Sequence, residues 1–434
     1  MALAVTGEFR VPRPQSAERP TQDARGGSRV GFALAGGVME GAFYEMGVLC
    51  ALEEAIEGLD CSAAHAYVGV SAGAVVASML ANGAPVRTIA HAAVTPHDEP
   101  GFEFDPGVLL TPAFGEYLRR ASRVPAVIAR WMRRRLENPL DVSILGTLAE
   151  LSELAPLGLF DSRPLERWLA QMFSHDGRTN DFGALGTILR IVAVRLDTSE
   201  LVAFGDATTR HVPISRAVQA SVSLPGLYCP TEIDGHLYID GVARRTLNAS
   251  LALDEGVDIL FCVNPIVPVD MQAAQRLSGH ARRPLNALGL PAVLSQTLRT
   301  LVHSRMNTAF RRYGHEYPRA DLVLIEPSMD DDRMFFSNIF SVSNRRGVCE
   351  HAYDSTRRHL LGRADELEPL LARHGLTLRR DVLLDASRTL FGDLPPVRHR
   401  PRHVRPPART MTSATDELRH ALDRLDSVLA RLSA

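Results

Sequence analysis

The sequence predicts a three-layer α/β/α fold, in which helices cover both faces of a mostly parallel central sheet and a helical extension follows at the C-terminus. Two observations carry this prediction. Short runs that are apolar apart from Asp258 recur at 30–35, 66–68 and 258–263, and such runs are typical of strands that are buried on both faces. Helix-length stretches, at 42–56 and 74–80, follow the first two runs. Buried strands that alternate with helices are typical of parallel sheets.

The same patterns assign the later elements. They predict strands at 187–194, 200–204 and 321–325, and helices at 213–222, 291–313 and 344–373.

Composition excludes several classes of protein. A formal net charge of −2 argues against a general nucleic-acid binder. All 48 basic residues are arginines, so a Schiff-base lysine, a Ser–Lys dyad and a P-loop lysine are excluded. The five cysteines are scattered without metal-ligand spacing, which favours reduced thiols in a cytoplasmic protein. No apolar run approaches the ~20 residues of a membrane-spanning helix, so we expect at most peripheral contact with a membrane.

Composition also divides the chain into parts. Residues 1–28 are polar and aperiodic, which predicts a disordered lead-in. Residues 29–375 form the predicted α/β domain. A Pro- and Arg-rich extension and linker at 376–410 precedes an amphipathic helix at 411–434. That helix needs a partner surface, which is either the body of its own chain or, alternatively, a second copy or a membrane.

An Arg-rich insertion at about 95–160 interrupts the α/β pattern. Its stretch from 117 to 136 places seven arginines around apolar residues such as Trp131 and Met132. The plain interpretation is a solvated pair of helices broken at Pro125, because charge runs are usually solvated faces. The alternative is a patch that lies on an anionic membrane.

The pentapeptide Gly69-Val70-Ser71-Ala72-Gly73 lies between a predicted strand and a predicted helix. A serine in such a turn is lifted out of the sheet, and flanking glycines let the strand and the helix pass closely. The serine oxygen also lies at a helix N-terminus, where backbone N–H groups favour negative charge. The pattern therefore indicates a nucleophile elbow, although taken alone it is equally compatible with an ordinary turn of small residues.

A serine nucleophile needs donors for an oxyanion and a base. Gly36-Gly37, between the first strand and its helix, is the candidate for the donors. If the two strands are neighbours, this turn lies beside Ser71 at one edge of the sheet. A dinucleotide-binding loop is disfavoured, because the middle glycine of its pattern is replaced by Val38.

Two kinds of base remain open. Asp240-Gly241 ends a short apolar strand, where burial would raise the pKa of the carboxyl group and improve it as a base, although Asp-Gly is also a common turn. A Ser–His–Asp arrangement is the alternative, and its histidine would be one of His280, His303, His315, His351 and His359.

Taken in order, these elements resemble the patatin-like phospholipases. The glycine-rich turn, the serine pentapeptide and Asp240-Gly241 match that family's motifs, and the stretches 41–49, 220–230 and 233–241 are similar to its sequences. The resemblance covers about residues 29–265 and implies a lipid acyl-ester hydrolase of the phospholipase A or lysophospholipase type. It implies that Ser71 attacks the ester and that Asp240 is the base. The backbone of Gly36, Gly37 and Val38 would form the oxyanion hole, with the N–H of Ala72 contributing. It also implies phospholipid or other acyl-lipid substrates, and neither a metal nor another cofactor.

The chain departs from the family pattern at three positions. Val38 stands where the family has a third glycine, and Glu40 stands where it has Arg or Lys. Val242 replaces the Gly or Ala that usually follows Asp-Gly. Valine does not readily adopt positive φ, and Glu40 would oppose an anion if it faced the site. The alternative function is therefore a catalytically weak module that binds a lipid or a protein.

Overall fold

The computed structural model describes residues 27–95, 106–137, 152–175, 177–278, 285–331 and 344–392. The strands in this part of the chain are β1 Val30–Leu34, β2 Ile56–Glu57, β3 Ala66–Val70, β4 Gly158–Phe160, β5 Ile188–Arg195, β6 Leu201–Phe204, β7 Gly226–Tyr228, β8 Thr231–Ile233, β9 His236–Asp240, β10 Ile259–Val263, β11 Asp321–Ile325 and β12 Thr377–Leu378.

The same part of the chain also contains α-helices. They are α1 Val38–Ala55, α2 Ala72–Ala81, α3 Val86–Val94, α4 Phe114–Ala121, α5 Val124–Glu137, α6 Arg163–Met172, α7 Ile214–Ser221, α8 Ala249–Asp254, α9 Met271–Ser278, α10 Leu290–Glu316, α11 Arg345–Gly362, α12 Ala364–Ala372 and α13 Arg380–Leu384. The helix predicted at 344–373 is in fact two helices, α11 and α12, and strand β12 and helix α13 lie in the predicted extension.

The central sheet has eight strands in the order β11-β10-β1-β3-β5-β9-β8, and β6 also pairs with β5. The five strands from β11 to β5 run parallel, and β6, β9 and β8 join by antiparallel pairing. The mostly parallel sheet is thus as predicted. The expected adjacency of the first two strands is also present, because β1 pairs in parallel with β3 from Gly31↔Ala66 to Leu34↔Gly69.

The two faces of the sheet bury different side chains. On one face, small residues such as Ala33 and Val68 pack with α8 and with Val302 and Tyr313 of α10. On the other face, the rings of Tyr67 and Phe261 both stack on Phe32, with ring centroids 6.0 and 5.6 Å away. This alternation along each strand follows from the period of two in β structure.

The Arg-rich stretch forms two helices, α4 and α5, as predicted. The break between them lies at residues 122–123, and Pro125 lies in the first turn of α5, where its missing N–H costs no hydrogen bond. The predicted lead-in up to residue 26 lies outside the described residues.

The chain divides into a compact unit over Met1–Leu390 and a second unit over Phe391–Ala434. Only Phe391 and Gly392 of the second unit are described. The predicted linker beyond residue 392 and the amphipathic helix at 411–434 lie outside the described residues, so self-association through that helix stays a prediction.

Candidate active site

Ser71 occupies the turn between β3 and α2 with φ 53° and ψ −120°. Positive φ in a residue other than glycine costs about 1–3 kcal/mol and persists only where the surroundings enforce it. A β-carbon at Gly69 would lie 2.5 Å from Cα of Ala74, and one at Gly73 would lie 2.4 Å from the carbonyl oxygen of Leu34. Only glycine fits at either position, so the strained turn has the close strand–helix approach of a nucleophile elbow.

Asp240 lies beside Ser71 because two strands meet end to end along β5. Val70, the last residue of β3, pairs with Val192, and Asp240, the last residue of β9, pairs with the next residue, Ala193. The two strands approach from opposite directions, since β3 is parallel and β9 antiparallel to β5. The side chains that follow or end these strands are therefore brought together at one point of the sheet.

The carboxyl group of Asp240 is completely buried, and burial raises its pKa to about 7. The Ser71 hydroxyl and the backbone N–H of Val242 both lower this pKa, because they interact better with the charged form. Oδ1 accepts the N–H of Val242 at 2.9 Å, whereas Oδ2 has no partner of good hydrogen-bond geometry among the described residues. A carboxylate with a pKa near neutrality and one free oxygen is suited to accept a proton.

Ser221 is a buried residue to which the sequence analysis gave no role. Its Oγ accepts the backbone N–H of Ser71 at 2.8 Å and donates to the carbonyl oxygen of Val192 at 2.6 Å. The elbow is thereby tied to the middle of β5. Only the position of Ser221 in the stretch 220–230, which resembles the family, singled it out in the sequence.

The loop between β1 and α1 lies directly against the elbow. A β-carbon at Gly36 would be 3.1 Å from Cβ of Ser71 and 2.3 Å from Cγ2 of Val242. The N–H groups of Gly36 and Gly37 have no acceptor within the described part of the chain, and Val38 begins α1, whose first N–H groups have no partner in the helix. Unpaired donors at a helix N-terminus form an anion-binding site.

Val38 has a positive φ of 55°, a backbone conformation that valine does not readily adopt. The valine is therefore strained, but the loop retains the backbone path that a glycine would allow. Glu40 lies in the first turn of α1 and is buried, but it is absent from the lining of the cleft at Ser71. Burial raises the pKa of Glu40 to about 7, an effect opposed by the charge of Arg299 on α10.

A sequence model of the family described as "Patatin-like phospholipase" matches residues 32–253, which is half of the chain. The chain belongs to the patatin-like phospholipase family. One solved structure that the chain matches is the crystal structure of VipD from Legionella pneumophila, at 14% identity and a TM-score of 0.33. That match covers 77% of this chain and 66% of VipD.

This patatin-like chain has an apolar cleft above Ser71. The cleft is walled by α1, α2, α3 and α6, by Leu109, and by residues 222–228. Besides Ser71, only the phenol of Tyr228 and the indole of Trp168 bring polar side-chain atoms, and the phenol donates to the carbonyl oxygen of Leu109 at 2.7 Å. An apolar cleft that includes a serine hydroxyl in its lining matches the polarity of an acyl chain joined to an ester.

The histidines proposed as alternative bases are placed elsewhere. His303 lies near Glu326, His351 bonds to Asp331, and none of the described candidates lines the cleft at Ser71. His280 lies outside the described residues.

Within the described ranges, no three His, Cys, Asp or Glu residues converge to hold a metal ion. No described helix combines the length and apolarity needed to cross a bilayer.

Proposed function

We propose that the protein hydrolyses the acyl esters of lipids, as a phospholipase A or a lysophospholipase does, by means of a Ser71–Asp240 dyad. The observation that carries this proposal is the pairing of Val70 and Asp240 with consecutive residues of β5, which brings a buried carboxyl group to the serine of a strained elbow. The apolar cleft above Ser71 supports a lipid substrate.

The reaction has two balanced halves. Asp240 takes the proton of the Ser71 hydroxyl as the oxygen attacks the ester carbonyl carbon, and the N–H groups of Gly36, Gly37 and Val38 stabilise the oxyanion, with that of Ala72 contributing. The tetrahedral intermediate collapses, and Asp240 returns the proton to the leaving alcohol. Water then attacks the acyl-serine, again with Asp240 as the base, and the fatty acid leaves as Ser71 regains its proton.

Two departures from the family pattern motivate the alternative, a weakly catalytic module that binds a lipid or a protein. The geometry favours the enzyme over this alternative for two reasons. Val38 keeps the left-handed backbone at the loop, and Glu40, whose pKa is about 7, lies away from the cleft beside Arg299. Val242 is the remaining departure, and its side chain packs against Gly36 rather than blocking the cleft.

Hydrolysis assays separate the two functions. Wild-type protein, Ser71→Ala and Asp240→Asn are each given a lysophospholipid, a phospholipid and a long-chain nitrophenyl ester. We expect both variants to lose at least about a hundredfold in rate, since each lacks a group that acts in every step. A wild type no faster than Ser71→Ala on all three substrates would leave the binding module as the better account.

We also propose peripheral contact with a membrane through α4 and α5. Leu118 and Leu136 expose 72% and 84% of their surfaces, and Phe114, Ile128 and Met132 are exposed on the same two helices. Several arginines there have acidic partners, because Arg119 and Arg120 pair with Glu116, and Arg133 pairs with Glu137. The exposed apolar side chains, more than the arginines, therefore support interfacial binding.

A further inference from the structure

The apolar cleft at Ser71 is lined by both α1 and α2, and each of these helices begins at a proposed catalytic group. Val38, whose N–H is a proposed oxyanion donor, is the first residue of α1, and Ser71 immediately precedes α2. Strands β1, β3 and β5 are parallel neighbours in chain order, so right-handed connections place α1 and α2 on the same face of the sheet. The two helices therefore lead away from the reacting atoms side by side.

Each helix contributes a row of apolar side chains to the cleft. On α2 the row consists of Ala72, Val75 and Met79, and on α1 it consists of Val38, Met39, Ala42, Phe43 and Met46. Residues that are three or four positions apart lie on one face of a helix. Each row is therefore a continuous apolar wall that begins beside the serine and follows the helix for about two turns.

The two rows end at Met46 and Met79, which are 5% and 4% exposed. No later residue of α1 or α2, both of which the structure describes in full, lines the cleft. From Val38 to Met46, and from Ser71 to Met79, the helices rise by about 12 Å. Ile89 also lines the cleft, near the start of α3, which follows the end of α2 after the turn at 82–85. The two methionines and Ile89 therefore lie at the end of the cleft that is remote from the serine.

The depth of the cleft corresponds to an acyl chain of limited length. An extended alkyl chain of about ten carbons, with every bond in its staggered trans form, has about this length. We propose that Met46 and Met79 determine the acyl-chain length that the cleft holds. About the first ten carbons of an acyl group on Ser71 are then buried, and the rest of a longer chain lies outside the cleft. This inference deepens the proposed function and rests on it where turnover is concerned.

Methionine is suited to the end of an apolar cleft. Its side chain is unbranched and polarizable, so it adapts to irregular apolar surfaces such as the end of an alkyl chain. Truncation of either methionine to alanine removes its three outer heavy atoms. The space that this opens would hold about two to three further carbons of the acyl chain.

The kinetic arm of the test measures kcat/KM on a series of nitrophenyl esters from butyrate to palmitate, each below its critical micelle concentration. For wild-type protein, kcat/KM should rise about three- to fourfold for each added methylene up to the decanoate and then level off, because further carbons bury no more apolar surface. A rise that continues unchanged to the palmitate would overturn the proposal, as would rates that do not depend on chain length.

Substitutions at the end of the cleft should move the chain length at which kcat/KM levels off. Met46→Ala and Met79→Ala should each move it to chains about two to three carbons longer, and Met79→Phe should move it to shorter chains. Met79→Leu nearly conserves the side-chain volume and should leave it in place. All rates are expressed relative to the butyrate ester, so that a loss of folded protein cancels.

Met306→Ala is the matched control, because Met306 is also 5% exposed but lies on α10 and does not line the cleft. It should not change the chain length at which kcat/KM levels off. The same chain length in wild type and in both alanine variants of the cleft would overturn the proposal. An equal shift in Met306→Ala would also overturn it, since the effect would then not belong to the end of the cleft.

The binding arm uses full-length Ser71→Ala protein and methyl ketones with the same series of alkyl chains. These probes have an uncharged carbonyl group and cannot be cleaved. Their affinity, measured by calorimetry, should level off at about ten carbons, and at longer chains once Met79→Ala is added. An affinity that levels off at the same length in both proteins would overturn the proposal. A wild type that cleaves no ester would refute the proposed function, while the ketone titrations still decide where the cleft ends.

Discussion

The backbone N–H of Ser71 donates to Oγ of Ser221 at 2.8 Å. Ser221 in turn donates to the carbonyl oxygen of Val192, the residue of β5 that also pairs with Val70. One buried hydroxyl group therefore connects the elbow, the end of α7 and the strand along which Asp240 is aligned. We expect the position of the Ser71 side chain, the proposed nucleophile, to depend on this bridge.

Ser221→Ala should lower both stability and turnover. The substitution leaves a buried N–H and a buried carbonyl group without their partner, which costs about 1–3 kcal/mol of unfolding free energy. It also frees the elbow to shift, and small misplacements of reacting groups cost up to about a hundredfold in kcat. Denaturant unfolding and steady-state kinetics measure the two effects.

Ser78→Ala is the matched control, because Ser78 is an equally buried serine whose hydroxyl bonds only within α2, to the carbonyl oxygen of Val75. It should keep the wild-type kcat. A Ser221→Ala protein with unchanged kcat would show that the bridge does not position the nucleophile.

The pH dependence of hydrolysis should report the pKa of Asp240. The base must be ionised, so kcat/KM on an uncharged ester should rise with pH, by about tenfold per unit below a midpoint near 7, and level off above it. Glu40 has a pKa of about 7 as well, but it does not line the cleft. Glu40→Gln should therefore keep the same profile.

A pH profile of kcat/KM that disappears in Glu40→Gln would assign the titration to Glu40 instead.

The pH dependence of the stability of the protein is a second measure of the titration of Asp240. Because the folded-state pKa of Asp240 is raised above the unfolded value, stability is fully present below the unfolded pKa and is lost as pH rises through about 7. Asp240→Asn should remove this loss, so its gain in Tm over wild type should be larger at pH 8 than at pH 5.

Gly36→Ala and Val38→Gly should differ sharply in activity. A β-carbon at Gly36 would lie 2.3 Å from Cγ2 of Val242, so the loop must move away from Ser71. Loss of one oxyanion donor costs about 10²–10³ in kcat, which is the loss expected for Gly36→Ala. Val38→Gly keeps the N–H group and relieves positive φ, so it should retain activity within a few-fold.

Both variants are assayed on the same nitrophenyl ester, with far-ultraviolet circular dichroism to confirm folding. An active Gly36→Ala protein would contradict the placement of the oxyanion donors in this loop.

Vesicle co-sedimentation tests the membrane contact. Replacing Phe114 and Leu118 with serine should reduce binding to anionic vesicles, because both side chains are largely exposed and would enter the interface. Higher ionic strength should weaken binding further by screening the arginines of α4 and α5. Leu384→Ser is the control, since Leu384 is 66% exposed on α13. Equal binding by all three proteins would refute this surface.

Much of the fold followed from local pattern. The apolar runs at 30–35 and 66–68 and the glycines that follow them were enough to predict two parallel strands with turns at one edge. The meeting of Ser71 with Asp240 was predicted only through family resemblance, because it depends on the register of an antiparallel strand on β5. Nothing local to the sequence of β9 fixes that register.

The environment of the loop between β1 and α1 also could not be predicted from the sequence. Burial and the charge of Arg299, which lies far along the chain on α10, set the pKa of Glu40. The loop before Val38 is closely packed, because a β-carbon at Gly37 would lie 2.6 Å from Cγ of Pro265. Such contacts between distant segments override the local preference of valine against positive φ.

Covalent labelling of Ser71, in which the serine oxygen displaces fluoride from a phosphonate, tests the central claim most directly. A long-chain alkyl fluorophosphonate, which modifies activated serines, is incubated with wild type, Ser71→Ala and Asp240→Asn, and the modified peptide is identified by mass spectrometry. We predict modification of wild type at Ser71, none in Ser71→Ala, and at least about a hundredfold slower modification in Asp240→Asn. An unmodified wild type, or equal rates in wild type and Asp240→Asn, would contradict a serine activated by Asp240.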